Sequence, residues 1–416
     1  MTLPSADEVR AEAEAFLDRH WTDTVTVGEW WRLLAEQGYS LPDLAPEDGG
    51  RGWPLDLVRA LNATFTRRRV LGPPGGIGLL LVAPTVARCG TAEQKQRFLP
   101  GILDGREGWC QLFSEPQAGS DLAGLQTKAV RDGDEWVITG QKVWTSGAQV
   151  ADWGILLART DPDAPKHRGI TYFAFPMRQP GVTVRPLVEM TGRALFNEVF
   201  LDGARVAASN VIGRLGDGWR VANVTLEVER IGIGHSGSAA FGAATPGASA
   251  GHLDEVAATF VGRKPTIGTS MVSTRVVQTL TDVARAKGLA TDPVTRQRLA
   301  QVYVSSRLGP MALWRAKADP AGRTSVDGNL AKLRNTDGLR SAREVGGSLL
   351  GPAATLWGDE AETGGYLQDL TVFSPAPSIY GGTDEIQRNV VGERGLGLPR
   401  EPGPPRDTPF RDLPKN

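Results

Sequence analysis

A chain of 416 residues is longer than one hydrophobic core usually sustains, so two or three packed domains are expected. Hydrophobic residues at 40%, charged residues at 22% and a net charge of −1 belong to an ordinary globular protein and give no electrostatic case for nucleic acid or an anionic membrane. Cys89 and Cys110 lack disulfide or metal spacing and the four histidines are scattered, which removes a metal site from consideration and suits a reducing, cytoplasmic setting.

Residues 1–107 read as helical. Ser5 followed by Glu8 has capping-box spacing ahead of AEAEAFLDRHW, and Thr91 with Gln94 repeats it ahead of QKQRFLPGIL. Nothing here has the layout of a signal peptide, and the apolar run Ile77 to Ala87 contains Pro84 and is too short to span a bilayer. The basic run TRRRV at 66–70 reads as a solvated helix end. Residues 108–215 change character. Asp132-Gly133 and Asp202-Gly203 are hairpin-type turn pairs beside the strand-like runs EWVITG and NEVFL, and ITYFAF (170–175) and VTVRPL (182–187) are β-rich. A mostly antiparallel β domain is expected there. Helical character returns over 216–398. It starts with VANVTLEVERIGIG (221–234), breaks at a Gly/Ala/Ser-rich loop or insertion from Gly232 to Gly251, and resumes where Asp292 caps and Pro293 opens a helix through VTRQRLAQVYVSSRL. The proline-rich tail, 399–416, is expected along the surface or a neighbouring subunit. The order α, β, α predicts an α+β fold with segregated layers.

Three clusters carry residues suited to a flat cofactor. The first is QLFSEPQAGSD, from Gln111 to Asp121, where Ser114 and Ser120 offer hydroxyls, Gly119 permits close backbone approach and several amides are available to a heteroaromatic edge or a phosphate. A plain turn explains Ser-Glu-Pro equally well. The second is GQKVWTSG, from Gly140 to Gly147, where Trp144 can pack on a flat ring while Ser146 reaches its polar edge; the bland alternative is a core tryptophan. The third, IYGGTDEIQR from Ile379 to Arg388, reads as a tight turn into a helix with Thr383 as N-cap. Asp384 and Glu385 favour the helix dipole and weakly oppose a phosphate.

In this order, WCQLFSEPQAGSD, ITGQKVWTSGA, HRGITYFAF, FNEVFLDGARV and IYGGTDEIQRNVVGERGLGLPR resemble the acyl-CoA dehydrogenase family over roughly residues 30–400. GLPREP near the end is similar to actinobacterial members, some of which act on steroid side chains. The resemblance implies a helical N-terminal domain, a central β domain and a C-terminal four-helix bundle, with FAD between the β domain and the bundle and reaching across a subunit interface. It places Ser114 and neighbouring Gln111, Phe113, Ala118 and Gly119 at the flavin's pyrimidine edge and Trp144 and Ser146 beside the ring. Ser120 lies where the thioester or flavin phosphate side enters, and Gly351, Thr383 and Glu385 lie by the ribityl-pyrophosphate. Gln117 departs from the family's usual glycine. The family's Arg-x-x-Phe-Gly is missing, with Arg285, Arg296 or Arg298 as substitutes.

The family reaction removes the α proton of an acyl thioester and passes the β hydride to the flavin. Most members carry the glutamate base at the position of Gly381, which here supplies only its amide to the developing enolate. Isovaleryl- and long-chain-type members instead carry a glutamate directly before an arginine on a bundle helix, matched here by Glu229-Arg230. Glu229 is therefore the expected base, strengthened by desolvation when substrate binds. Arg230 matches a CoA anchor, and Glu227 and Tyr380 match substrate contacts. Glu227 is a rival acid pointing about 200° away on a helix. The expected activity is acyl-CoA to trans-2-enoyl-CoA, or the same step on an acyl-carrier thioester, with an electron-transfer flavoprotein as acceptor and a homodimer, homotetramer or heterotetramer as assembly. The alternatives are a non-catalytic or half-active subunit of a heteromeric enzyme, and a flavin oxidase or monooxygenase on the same fold.

Overall fold

A computed structural model describes residues 3–236, 244–263, 272–318, 326–358, 360–405 and 407–414, with backbone alone at 230–236, 313 and 316–318. Five helices come first: α1 (Ala6–His20), α2 (Val27–Glu36), α3 (Leu55–Arg68), α4 (Ala83–Cys89) and α5 (Ala92–Leu103). Both expected capping boxes are present, at Ser5 and Thr91, and Thr26 with Glu29 forms a third. Trp30 and Trp31 of α2 are fully buried, and their indoles donate to the carbonyls of Leu71 (2.7 Å) and Gly72 (3.0 Å), fixing the loop after α3. The TRRRV run closes α3, where Arg67 and Arg68 pair with Glu14 and Arg68 also with Asp18.

Seven strands follow: β1 (Trp109–Leu112), β2 (Lys128–Asp132), β3 (Glu135–Ser146), β4 (Trp153–Arg159), β5 (Ile170–Pro176), β6 (Val182–Leu187) and β7 (Phe196–Ala207). They form one sheet in the order β1-β4-β2-β3-β7-β6, with β5 on β4. It is antiparallel except where β1 and β2 meet β4. Asp132-Gly133 turns the β2–β3 hairpin as expected. Asp202-Gly203 does not turn a hairpin. It lies inside β7, where the register with β3 jumps from Ile138↔Ala204 to Thr139↔Asp202 and Gly203 takes φ 69°. A glycine in the left-handed region is what a β-bulge also requires, so the dipeptide alone does not separate the two.

The bundle comprises α6 (Gly218–Ser236), α7 (Thr274–Ala286), α8 (Pro293–Ala318) and α9 (Asp327–Leu350), followed by the short α10 (Tyr366–Phe373) and α11 (Asp384–Val390). Helix α9 is the hub, packing on α6, α7, α8, α10 and α11. Its Leu339, Ala342 and Val345 share a core with Val276, Leu280, Val302, Leu367 and Leu370. As expected, Asp292 caps α8, accepting from the Thr295 amide at 2.7 Å. Helix α6 runs on to Ser236, so the interruption expected from Gly232 starts later. Each glycine costs a helix interior about 1 kcal/mol relative to alanine, but extending a helix that is already formed needs no new nucleus. Part of that stretch, 237–243, lies outside the described residues. Among the described residues no helix is long and apolar enough to cross a membrane. The tail lies on this chain's own β domain: the Phe410 amide donates to the Ala164 carbonyl (3.0 Å), and its ring sits under the Arg159 guanidinium at 3.3 Å.

Candidate active site

The first two clusters form one construction. Beyond β1 the chain makes a tight turn in which Glu115 and Ala118 exchange backbone hydrogen bonds of 3.1 and 3.0 Å. The Glu115 carboxylate points inward and accepts from the amides of Gln126 (2.6 Å) and Thr127 (2.9 Å), from the Gln117 side chain (2.8 Å) and from Lys142 Nζ (2.8 Å). Lys142 comes from β3 and also donates to the Phe113 carbonyl at 3.0 Å. Both side chains are buried, at 2% and 0% exposure. Burial raises the Glu115 carboxyl, but the charge and hydrogen bonds of Lys142, Thr127 and Gln126 outweigh it and hold the group below the ordinary 4.5. Gln117, in place of the family's glycine, therefore keeps the turn and adds a hydrogen bond to its anchor. The Ser114 carbonyl accepts from Val143 (2.9 Å), so cluster one is laid directly on cluster two. Phe113 and Ala118 are buried beneath, Gln111 and Ser114 are half-buried, and Gly119 and Ser120 face outward.

Trp144 tops this construction. It keeps 60% of its surface exposed and takes φ 60°, a conformation that a bulky L residue adopts only when its surroundings enforce it. A register shift between Lys142 and Thr145 accommodates it, and its ring stands edge-on to Phe196 at 5.9 Å. Beside it Ser146 is half-buried, and the buried Thr145 hydroxyl has no hydrogen-bond partner. An exposed indole held in strained backbone, with hydroxyls and an open glycine turn alongside, fits one flat, electron-poor ring with a polar edge.

The third cluster is held by the bundle. Thr383 caps α11, accepting from the Ile386 amide at 3.2 Å. Asp384 is turned inward at 1% exposure and is paired with Lys332 (2.6 Å), Arg340 and the Thr336 hydroxyl (3.1 Å). Burial raises its carboxyl, but these partners hold it below the ordinary 3.8. Its charge is thus spent on α9, which corrects the reading of Asp384 as a residue opposing a phosphate. Glu385 points to solvent. Gly381 and Gly382 take φ 64° and 84°. Gln387 of α11, itself buried and bonded by Asn329 of α9, donates to the Gly381 carbonyl at 2.7 Å. A Cβ at Gly382 would lie 2.6 Å from that amide nitrogen, so glycine there lets the anchor in. Tyr380 packs near Phe373, and burial pushes its phenol up to about 12. Arg193, from the loop between β6 and β7, pairs with Asp369 (2.9 Å) beside the same Phe373, tying the β domain to this corner.

Glu229 lies on α6, half-buried, and Glu227 on the same helix is exposed and pairs at 3.8 Å with Arg88. The Arg230 side chain lies outside the described residues. Gly351, at the end of α9, is exposed with φ 57°. Arg298 reaches Ser348 one turn before it (3.4 Å), whereas Arg285 meets Asp282 on its own helix. The anchors Glu115, Lys142, Asn329 and Gln387 escaped the sequence reading. The one available signal was Lys142, a charge directly before Val143 and Trp144 within a strand.

The chain matches acyl-CoA dehydrogenase family models for the N-terminal domain over residues 5–106, the middle domain over 110–203 and the C-terminal domain over 266–396. Acyl-CoA dehydrogenase IpdE1 of Mycobacterium tuberculosis is 38% identical over 391 residues, 94% of this chain and 90% of that protein. Acyl-CoA dehydrogenase FadE34 of the same organism is 38% identical over 88% of this chain and 46% of its own length. Among solved structures, the Tcur3481-Tcur3483 steroid ACAD aligns with a TM-score of 0.70 at 29% identity, covering 96% of this chain and all of that one (100%). The ChsE4-ChsE5 complex from Mycobacterium tuberculosis aligns with a TM-score of 0.69 at 25% identity, covering 96% and 99%.

Proposed function

The chain belongs to the acyl-CoA dehydrogenase family, with FAD as its cofactor and acyl-CoA dehydrogenation as its chemistry, and on that premise we propose that Glu229 removes the α proton of the thioester while the Gly381 amide polarises its carbonyl. The orientation of α6 carries the assignment. Val221 and Thr225 are fully buried, and Thr225 bonds to Thr85 of α4 (3.0 Å) and Tyr172 of β5 (3.1 Å). Glu229 is the next four-residue step on that face, about 40° round from Thr225, while Glu227 lies about 200° from Glu229. Of the two acids, only Glu229 continues the inward stripe.

Bound FAD supplies the acceptor for the β hydride. Gln111, Phe113, Ser114, Ala118, Gly119 and Ser120 would hold its pyrimidine edge and phosphate side and Trp144 and Ser146 its ring, while Gly351, Thr383 and Glu385 would lie by its ribityl-pyrophosphate. Gly381, having no side chain, keeps the amide and vacates the space that a glutamate would fill. Gln387, by taking the Gly381 carbonyl, fixes the plane of a turn that two glycines would otherwise leave loose. Arg230 and Tyr380 would contact the thioester. The vacated space and the likeness to a protein titled a steroid ACAD support a bulky acyl group. Electrons would leave to an electron-transfer flavoprotein.

A second reading, one subunit of a heteromeric enzyme, is favoured by two observations. The two solved structures described above bear paired names, and α8 presents Tyr303, Val304, Leu308, Met311 and Trp314 to solvent, a stripe suited to a second chain.

Anaerobic mixing of FAD-loaded enzyme with cyclohexylpropanoyl-CoA tests the base. Glu229→Gln should bleach the flavin at least ~100-fold more slowly than wild type with an unchanged resting flavin spectrum. Bleaching at the wild-type rate would remove Glu229 from the role.

A further inference from the structure

The proline-rich tail is seated by specific contacts on the loop between β4 and β5. Pro409 bridges Pro165, the Phe410 amide donates to the Ala164 carbonyl (3.0 Å) and the Arg411 amide to the Pro162 carbonyl (3.1 Å). Arg411 also pairs with Asp163 at 2.8 Å. These contacts set the Phe410 ring flat against Arg159, with 3.3 Å between the guanidinium carbon and the ring centre.

Arg159 ends β4 and is 4% exposed. Its guanidinium donates to the carbonyls of Ala123 (2.7 Å), Leu125 (3.2 Å) and Lys166 (3.1 Å). The carboxylates of Glu115 and Asp121 are held by Lys142 and Lys166. The buried charge therefore rests on carbonyl dipoles and on the face of Phe410, whose quadrupole attracts a cation most where water is excluded. Ala123 and Leu125 belong to the segment that follows Ser120. Lys166 fixes its start, donating to both oxygens of Asp121 at 2.7 and 2.6 Å, and a Cβ at Gly124 would lie 2.6 Å from that carboxylate. Further on, Glu115 accepts from the amides of Gln126 and Thr127. Leu413 and Pro414 of the tail reach the same segment: with Phe410 they line a gap of ≈ 20 Å³ shared with Gln117, Asp121 and Gln126. Two cations thus set residues 121, 123 and 125 behind Ser120, and the tail closes the more deeply buried of them from water.

We propose that the tail is a strap that positions the Ser120 turn for the phosphate side of FAD, with Phe410 acting through Arg159. The proposal rests on the assignment of the flavin's phosphate side to Ser120, and not on the identity of the base. Phe410 acts at one remove, as a positioning residue. Without its ring, water competes for the guanidinium that holds Ala123 and Leu125, and fewer molecules present Ser120 in the form that accepts a phosphate. Apparent affinity falls with that fraction.

The test dilutes FAD-loaded, full-length enzyme in series, well below its thermal midpoint, and reads released flavin by its fluorescence. This gives the FAD dissociation constant without turnover. Phe410→Ala should raise it about tenfold. Phe410→Tyr, which keeps the ring face, should stay within about twofold of wild type. So should Arg411→Ala, which removes only an exposed ion pair of the tail. Ser120→Ala, a loss of direct contact with a charged ligand, should raise the constant at least about tenfold. Should Phe410→Ala fail to fold, Phe410→Leu, apolar but without a ring face, decides in its place. A wild-type constant for Phe410→Ala beside a raised one for Ser120→Ala would overturn the strap and leave the flavin where it is assigned. A wild-type constant for Ser120→Ala would remove the phosphate from Ser120, and the strap's role with it. An equal rise for Phe410→Ala and Phe410→Tyr would make the ring a filler and overturn the proposal as well.

Discussion

The turn at Phe113–Ser120 and the turn at Tyr380–Thr383 both present backbone to the proposed flavin and thioester, and they are anchored in opposite ways. The first is bolted by a carboxylate that accepts four hydrogen bonds and faces a lysine with no exposed surface. The second pairs two left-handed glycines with a neutral amide, Gln387, while its charged residue, Asp384, is tied off to cations that remain 14% and 36% exposed. Charge buried without access to water cannot be rescued by solvent, whereas charge near the surface can. The first turn should therefore behave as part of the core. The second should tolerate change in fold while losing function, which suits the place where the thioester carbonyl is to be polarised.

The sharpest break of that contrast is Lys142→Met. It leaves Glu115 buried against three amide groups without its hydrogen-bonded cation, and should cost about 3–5 kcal/mol of stability, read as a large loss in thermal midpoint. Asp384→Asn should cost less, about 1–3 kcal/mol, because Lys332 and Arg340 regain water. Acid should act in the same sense on both turns. Glu115 and Asp384 are held below their ordinary values of 4.5 and 3.8. Their stabilisation is complete above those values and is lost as pH falls through the lower folded ones. Stability of the wild type measured downward from pH 5 should fall more steeply than that of Glu115→Gln; equal slopes would mean that the pair is not coupled to folding. The smallest structural effect belongs to Gln387→Leu, about 1 kcal/mol. Its signature should be kinetic: kcat for flavin reduction falls while the affinity for enoyl-CoA is held. A parallel loss of stability and affinity would make Gln387 mere packing.

Local rules read from the sequence carried far in this molecule because they act over three or four residues. Ser5, Thr91 and Asp292 cap the helices they were expected to cap. The rules failed where one residue serves two geometries. Gly203 sits in the left-handed region whether the chain turns or bulges, and only the partner strand decides. At the site, residues that would touch a ligand stand in recognisable order along the chain. Those that hold them come from elsewhere: Lys142 meets Glu115 from 27 positions away and Asn329 meets Gln387 from 58. No periodicity or spacing signals such a pair. The cover that Phe410 lays over Arg159 was equally invisible, since a buried charge is defined by what surrounds it.

The division of labour between α6 and the glycine turn is met most directly by moving the carboxylate back. A glutamate placed at 381 in the Glu229→Gln background would stand in backbone of φ 64°, which disfavours an L residue by about 1–2 kcal/mol. It would nevertheless present the acid to the same α carbon while leaving the amide in place. If proton removal and carbonyl polarisation are separate duties of Glu229 and residue 381, the Glu229→Gln, Gly381→Glu double variant should bleach its flavin anaerobically at least ~10-fold faster than Glu229→Gln alone, and more slowly than wild type. A double variant no faster than the single one, with FAD and enoyl-CoA bound as in wild type, would contradict that division.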